Sequence, residues 1–91
     1  MSRYTVKYTT EYEEKFATLP EKAQAAVNKA IEFLSEYPRT DFSVPFGDDE
    51  DVRVVDATPY VRLRYVIADS VVLIIFFELT DFRPPLLESE D

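Results

Sequence analysis

Arg62 and Arg64 stand two residues apart in Val61-Arg62-Leu63-Arg64-Tyr65, within a stretch from Val52 to Leu79 that reads as three strand-like runs. In a strand, side chains two apart share a face, so both guanidinium groups point the same way. Arg53 joins them if Thr58-Pro59 is a two-residue turn, because Arg53 then lies opposite Arg64 and Val55 opposite Arg62. With Asp69-Ser70 as a second two-residue turn, Arg62 and Arg64 oppose Phe77 and Ile75. The face so built holds Arg53, Arg62, Arg64 and Tyr60, with Val66, Leu73, Ile75 and Phe77 beside them. Fixed cations on a sheet suit an anion, either the phosphates of a nucleic acid or the carboxylates of a protein partner. The same arginines pair equally well within the chain, with Asp56, Glu78, Asp81 or the run Asp48-Asp49-Glu50-Asp51. Both readings stand at this point.

Other chemistry has little to work with. The 91 residues contain no histidine and no cysteine, which removes the usual general base, the thiolate nucleophile and the commonest metal ligands. Catalysis would have to run on carboxylates, Arg, Lys, Tyr or positioning alone. Asp48 to Asp51 lacks the alternating ligands and closing Glu of a calcium loop. No Gly-rich phosphate loop or serine elbow is present, and neither a cofactor nor a metal is expected. A carboxylate enzyme using Glu78 and Asp81 has no supporting pattern.

The net charge is −8. Residues 1 to 40 are balanced, so the excess lies beyond them, in Asp48 to Asp51 and in Glu88-Ser89-Glu90-Asp91. A general nucleic-acid binder shows the opposite balance. The longest apolar run, Val71 to Phe77, is far short of the roughly 18 residues a membrane helix needs. These features predict a soluble, cytoplasmic protein with no membrane contact.

The elements that must position the arginines follow from periodicity. Arg3 to Thr9 alternates, with Tyr4, Val6 and Tyr8 on one side, as a half-buried strand does. Thr10-Glu11-Tyr12-Glu13 matches a capping box and opens a short helix with Tyr12 and Phe16 inward. Thr18-Leu19-Pro20-Glu21 repeats the signal, with Pro20 in the first turn. Ala23, Ala26, Val27, Ala30, Ile31, Leu34 and Tyr37 then keep a helical rhythm until Pro38, and the two helices are expected to form a hairpin. Phe42, Val44 and Phe46 alternate between Pro38 and Asp51, as a short edge strand or as a loop pinned by its aromatics.

The last run, Val71 to Leu79, is apolar on both faces. A helix pair covers only one side of a sheet, so the other calls for the Phe82–Leu87 tail, a twin subunit or a separate partner. Six Tyr and seven Phe supply a core for one domain spanning 1–91, with a flexible tail expected over 80–91. The expected fold is α+β: a strand, an alpha hairpin, then a three-stranded antiparallel meander with the helices on one sheet face.

This order resembles the RelE/ParE superfamily, the toxin halves of bacterial toxin–antitoxin pairs, over roughly residues 3 to 79. Leu19-Pro20 resembles the family's Leu-Pro joint between helices, and Pro45-Phe46-Gly47 its Pro-Leu-x-Gly step. Val52-Arg53-Val54-Val55 is similar to its second strand, Arg62-Leu63-Arg64-Tyr65 to its third and Val71–Phe77 to its apolar fourth. RelE-like members cut messenger RNA in the ribosomal A site by orienting the 2′-hydroxyl and stabilising phosphorane charge with cations. The resemblance implies Arg53, Arg62 and Arg83 as catalytic candidates, and the arginine face described above supplies Arg64, Tyr60, Ile75 and Phe77 as binding residues. It also implies a cognate antitoxin as partner, with the ribosome and its mRNA, or DNA gyrase for ParE-like members, as target.

The departures bear on the activity. The loop that often carries lysines in ribonuclease members is Asp48-Asp49-Glu50-Asp51 here. The fourth strand ends in Glu78-Leu79-Thr80 in place of a basic cluster, and no C-terminal Tyr or His follows. Repulsion from ribosomal RNA would slow encounter. The alternative is a non-catalytic RelE-like interaction module or a homodimer.

Overall fold

The computed structural model describes residues 3–82. Their order is β1 (Thr5–Tyr8), α1 (Thr10–Ala17), α2 (Glu21–Glu36), β2 (Ser43–Phe46), β3 (Asp49–Thr58), β4 (Val61–Ala68), a 3-10 turn (Asp69–Val71) and β5 (Leu73–Asp81). The strands form one sheet in the order β1-β5-β4-β3-β2. The predicted α+β class and meander are present, and the sheet is completed at both sides. β1 runs parallel to β5, with Thr5 beside Leu73 and Tyr8 beside Phe76. The alternating segment after Pro38 is the edge strand β2, antiparallel to β3. Both helices lie on one sheet face, α1 over β5 and α2 over β3, so each packs on the sheet more than on its neighbour.

Three element ends differ from expectation. The cap of α1 is Thr9, one residue early, and its Oγ1 accepts from the Tyr12 N–H at 3.2 Å. The Thr9 hydroxyl also donates to the Phe77 carbonyl at 3.2 Å, which ties the helix start to β5. Pro20 precedes α2 as an extended flanking residue (φ −61°, ψ 158°), a conformation its ring favours, and makes no side-chain cap. Tyr37 leaves the inner face of α2. The residue before a proline is biased away from helix, so Tyr37 turns out at φ −132° and lies 49 % exposed, its ring 5.2 Å from Phe33.

The core lies between the helices and one sheet face. Val27, Ile31 and Leu34 of α2 and Tyr12 of α1 meet Leu63, Tyr65 and Ile67 of β4 and Ile74 and Phe76 of β5. Tyr65 and Phe76 are fully buried, 5.1 Å apart between ring centres. The Tyr65 hydroxyl donates to the Pro38 carbonyl at 2.6 Å, so the loop after α2 is fixed from within the core.

Two turns set the faces, and both differ from the two-residue readings. The β3–β4 turn is Pro59-Tyr60, and the pairing slips between Asp56 and Thr58. The β4–β5 connection is the 3-10 turn followed by Val72 in the left-handed region at φ 52°, so β5 starts at Leu73 rather than Val71. A branched side chain there is strained backbone, held by the Val72 N–H to the Asp69 carbonyl and by the Thr5 N–H to the Val72 carbonyl. β5 continues to Asp81, so Thr80 and Asp81 belong to the sheet rather than to a tail.

Candidate functional site

Strand alternation divides the arginines. Val55 of β3 and Val61, Leu63, Tyr65 and Ile67 of β4 point into the core, and Arg53 shares their side. Arg62, Arg64 and Val66 point to the face without helices, as do Val54 and Asp56. The expected stripe of Arg53, Arg62 and Arg64 therefore does not form. Arg53 pairs with Tyr65 rather than Arg64: the turn at Pro59-Tyr60 alone would set it opposite Val66 and keep its side, and the slip between Asp56 and Thr58 carries it to the other face.

Arg53 is a core residue, 8 % exposed. Its Nε donates to Ser43 Oγ at 2.7 Å and its Nη2 to the Ser43 carbonyl at 3.0 Å, which joins β3 to the edge strand β2. Burial raises the Tyr65 hydroxyl's pKa, while its hydrogen bond with Ser43 and the nearby Arg53 charge oppose that shift.

On the open face, Arg62 lies opposite Thr80 and Arg64 opposite Glu78, in place of Phe77 and Ile75, because the longer β4–β5 connection shifts the pairing by two and the slip between Arg64 and Tyr65 by one more. Arg62 Nε donates to Asp56 Oδ1 at 2.9 Å, and its guanidinium lies over the Phe82 ring at 5.0 Å. Arg64 Nη2 meets Glu78 Oε1 at 2.7 Å. The Arg64 guanidinium lies 4.1 Å from the Phe46 ring centre and 5.9 Å from that of Phe77. Both arginines on this face are thus paired with a carboxylate and covered by an aromatic ring, while Lys7 of β1, beside Ile75, forms no ion pair with the described residues. Of the two readings of the arginines, pairing within the chain is the one the geometry contains.

Beside these pairs, β2 and the residue before it build a wall over a groove of about 430 Å³. Phe42, Val44 and Phe46 form the wall, and Val54, Arg62 and Arg64 are part of the floor. Glu78 also borders a second groove, of about 690 Å³, where Glu11, Glu14 and Lys15 of α1 face Phe77 and Leu79.

The other predicted binding residues are spread out. Ile75 lies opposite Val66 on the open face, away from the groove lining. Tyr60 is in the turn, where its carbonyl accepts the Phe82 N–H at 2.7 Å. Arg83 lies outside the described residues. In the sequence Asp56 and Glu78 are possible partners of the arginines among several carboxylates, and nothing short of the register singles them out. The groove wall was visible as the Phe42, Val44, Phe46 alternation.

At the opposite end of the sheet, Arg39 donates to Asp69 at 2.9 Å and to Asp51 at 2.6 Å, and the Tyr4 hydroxyl donates to Asp69 at 2.6 Å. The Arg39 bond, then the Tyr4 bond, hold the Asp69 carboxyl below its usual range. This cluster joins β1, the loop after α2, β3 and the β4–β5 turn, and so serves the fold. Among the described residues no group of carboxylates is arranged to hold a metal ion. None of their helices is long and apolar enough to cross a membrane.

No protein-family model matches the chain, and no curated protein matches its sequence. Solved structures do. The chain is similar to one in the toxin–antitoxin complex RelBE2 from Mycobacterium tuberculosis, at 24% identity and a TM-score of 0.75 over 88% of this chain and 99% of that one. The isolated Escherichia coli RelE toxin matches at 16% identity and a TM-score of 0.76, over 96% and 93%. The YoeB/ParE toxin from Agrobacterium tumefaciens matches at 13% identity and a TM-score of 0.73, over 87% and 99%. At these identities the likeness is one of fold, and the fold is RelE-like.

Proposed function

We propose that this chain is the toxin component of a type II toxin–antitoxin pair that acts through protein contact on the open sheet face, without cutting RNA by an arginine site. The fold and the antitoxin-bound state of the Mycobacterium tuberculosis relative support the toxin reading. One observation carries the mechanism: Arg62 and Arg64 are neutralised by Asp56 and Glu78, while Arg53 lies in the core. A phosphoryl-transfer site needs free, convergent cations where charge develops. A protein interface needs an apolar recess with a polar rim, and the groove beside β2 fits that description. DNA gyrase is one candidate target of this kind, and the ribosome another.

Expression in a bacterium is expected to slow growth while messenger RNA stays intact. Arg62→Ala should leave the arrest in place, and Phe46→Asp in the groove wall should relieve it. Absence of any growth effect would remove the toxin reading and leave an interaction module or homodimer. The second reading, a ribosome-dependent mRNA endoribonuclease, draws on Arg62 itself, whose side chain is 50% exposed and so within reach of a phosphate. Cleavage of messenger RNA on ribosomes that disappears with Arg62→Ala would establish it.

A further inference from the structure

The groove beside Arg64 has a charge pattern that selects its occupant. Its wall is apolar and open to solvent, with Phe42 78 % exposed, Val44 58 % and Phe46 47 %. Gly47, at φ 67°, turns the chain from the end of that wall into Asp48, Asp49 and Glu50. All three are exposed. With the described residues none of them forms an ion pair, whereas Asp51 is taken by Arg39. The floor adds no free positive charge, since both of its guanidinium groups already hold carboxylates.

In the groove a nucleic acid or an acidic peptide would find both guanidinium groups already paired, and the carboxylates that follow Gly47 in the chain would repel it. A segment of alternating apolar and basic residues breaks nothing. Its apolar side chains would cover Val44 and Phe46, removing exposed hydrocarbon from water. Its ammonium or guanidinium groups would neutralise Asp48, Asp49 and Glu50, which otherwise repel one another. We infer that the groove receives a basic, apolar segment of a partner protein, held by the β2 wall and the acidic β2–β3 turn. The inference rests on the reading that this face works by protein contact, and it specifies the chemistry of that contact.

The test is a resonance titration of the isotope-labelled full chain with three probes: a short peptide of alternating leucine and lysine, its leucine–glutamate counterpart, and a short oligouridylate. The lysine peptide is expected to shift the amides of Val44, Phe46 and Val54. Its affinity should fall about tenfold in the triple variant Asp48→Asn, Asp49→Asn, Glu50→Gln, as the loss of three exposed charge pairs implies. These positions are exposed, Asp48 in the turn and Asp49 and Glu50 at the start of β3, and circular dichroism of the variant confirms that it folds. Four results overturn the inference: a stronger response to oligouridylate or to the glutamate peptide, no response to the lysine peptide, a response outside the groove, or one that survives the triple substitution. Growth arrest without lysine-peptide binding defeats this inference alone. Lysine-peptide binding in the groove without growth arrest defeats the toxin reading alone.

Discussion

Arg53 and Arg62 occupy neighbouring strands and do unrelated work. Arg53 spends two donors on Ser43 inside the core, and no carboxylate among the described residues forms an ion pair with it. Its truncation removes buried hydrogen bonds and leaves a void, so Arg53→Ala is expected to lower stability by about 2–4 kcal/mol in urea unfolding. Arg62 is half exposed to solvent, and its pair with Asp56 is correspondingly screened. Arg62→Ala should cost less than about 1 kcal/mol in the same measurement. Similar losses for the two variants would contradict the assignment of Arg53 to the core.

Elements here are fixed by their turns, and the β4–β5 turn is fixed by Asp69. Its folded-state pKa lies below the ordinary value of 3.8, chiefly through Arg39 and then Tyr4. The stabilisation is therefore complete at neutral pH and is lost as pH falls through the aspartate range. Asp69→Asn should melt below the parent at pH 7, and the gap should close on acidification. A gap that is constant with pH would mean that the carboxylate charge is not what holds the turn. Turns also decide how much of the molecule could be read in advance. Burial on one side imposes a period of two on Val61, Leu63, Tyr65 and Ile67 and a helical period on Val27, Ile31 and Leu34, and both were legible. The sides on which Arg53 and Arg62 emerge depend on the bulge between Asp56 and Thr58, since moving the turn by one residue shifts the pairing by two and leaves each side chain on its face. Pro59-Tyr60 and Thr58-Pro59 are locally almost equivalent, and tertiary packing chooses between them. The slips at Asp56 and Arg64 likewise leave no mark in hydrophobic alternation. The fold was thus accessible from pattern, while the make-up of the site waited on register.

At the scale of the whole molecule, the net charge of −8 opposes self-association. Apposing two open faces would bring together two copies of the acidic β2–β3 turn. Sedimentation at low ionic strength is accordingly expected to give a monomer, with any self-association strengthened by added salt. A dimer that is tightest at low salt would identify a different contact. The parallel pairing of β1 with β5 has a consequence in time. Tyr4 and Asp69, which clasp these strands together, are 65 residues apart in sequence. The sheet thus closes only after the polypeptide has been synthesised past Phe76, and that long loop must be gathered before its pairing offers any return. During translation β1 waits unpaired while β2, β3 and β4 emerge. The molecule gains its finished surface late, after most of the chain has been made.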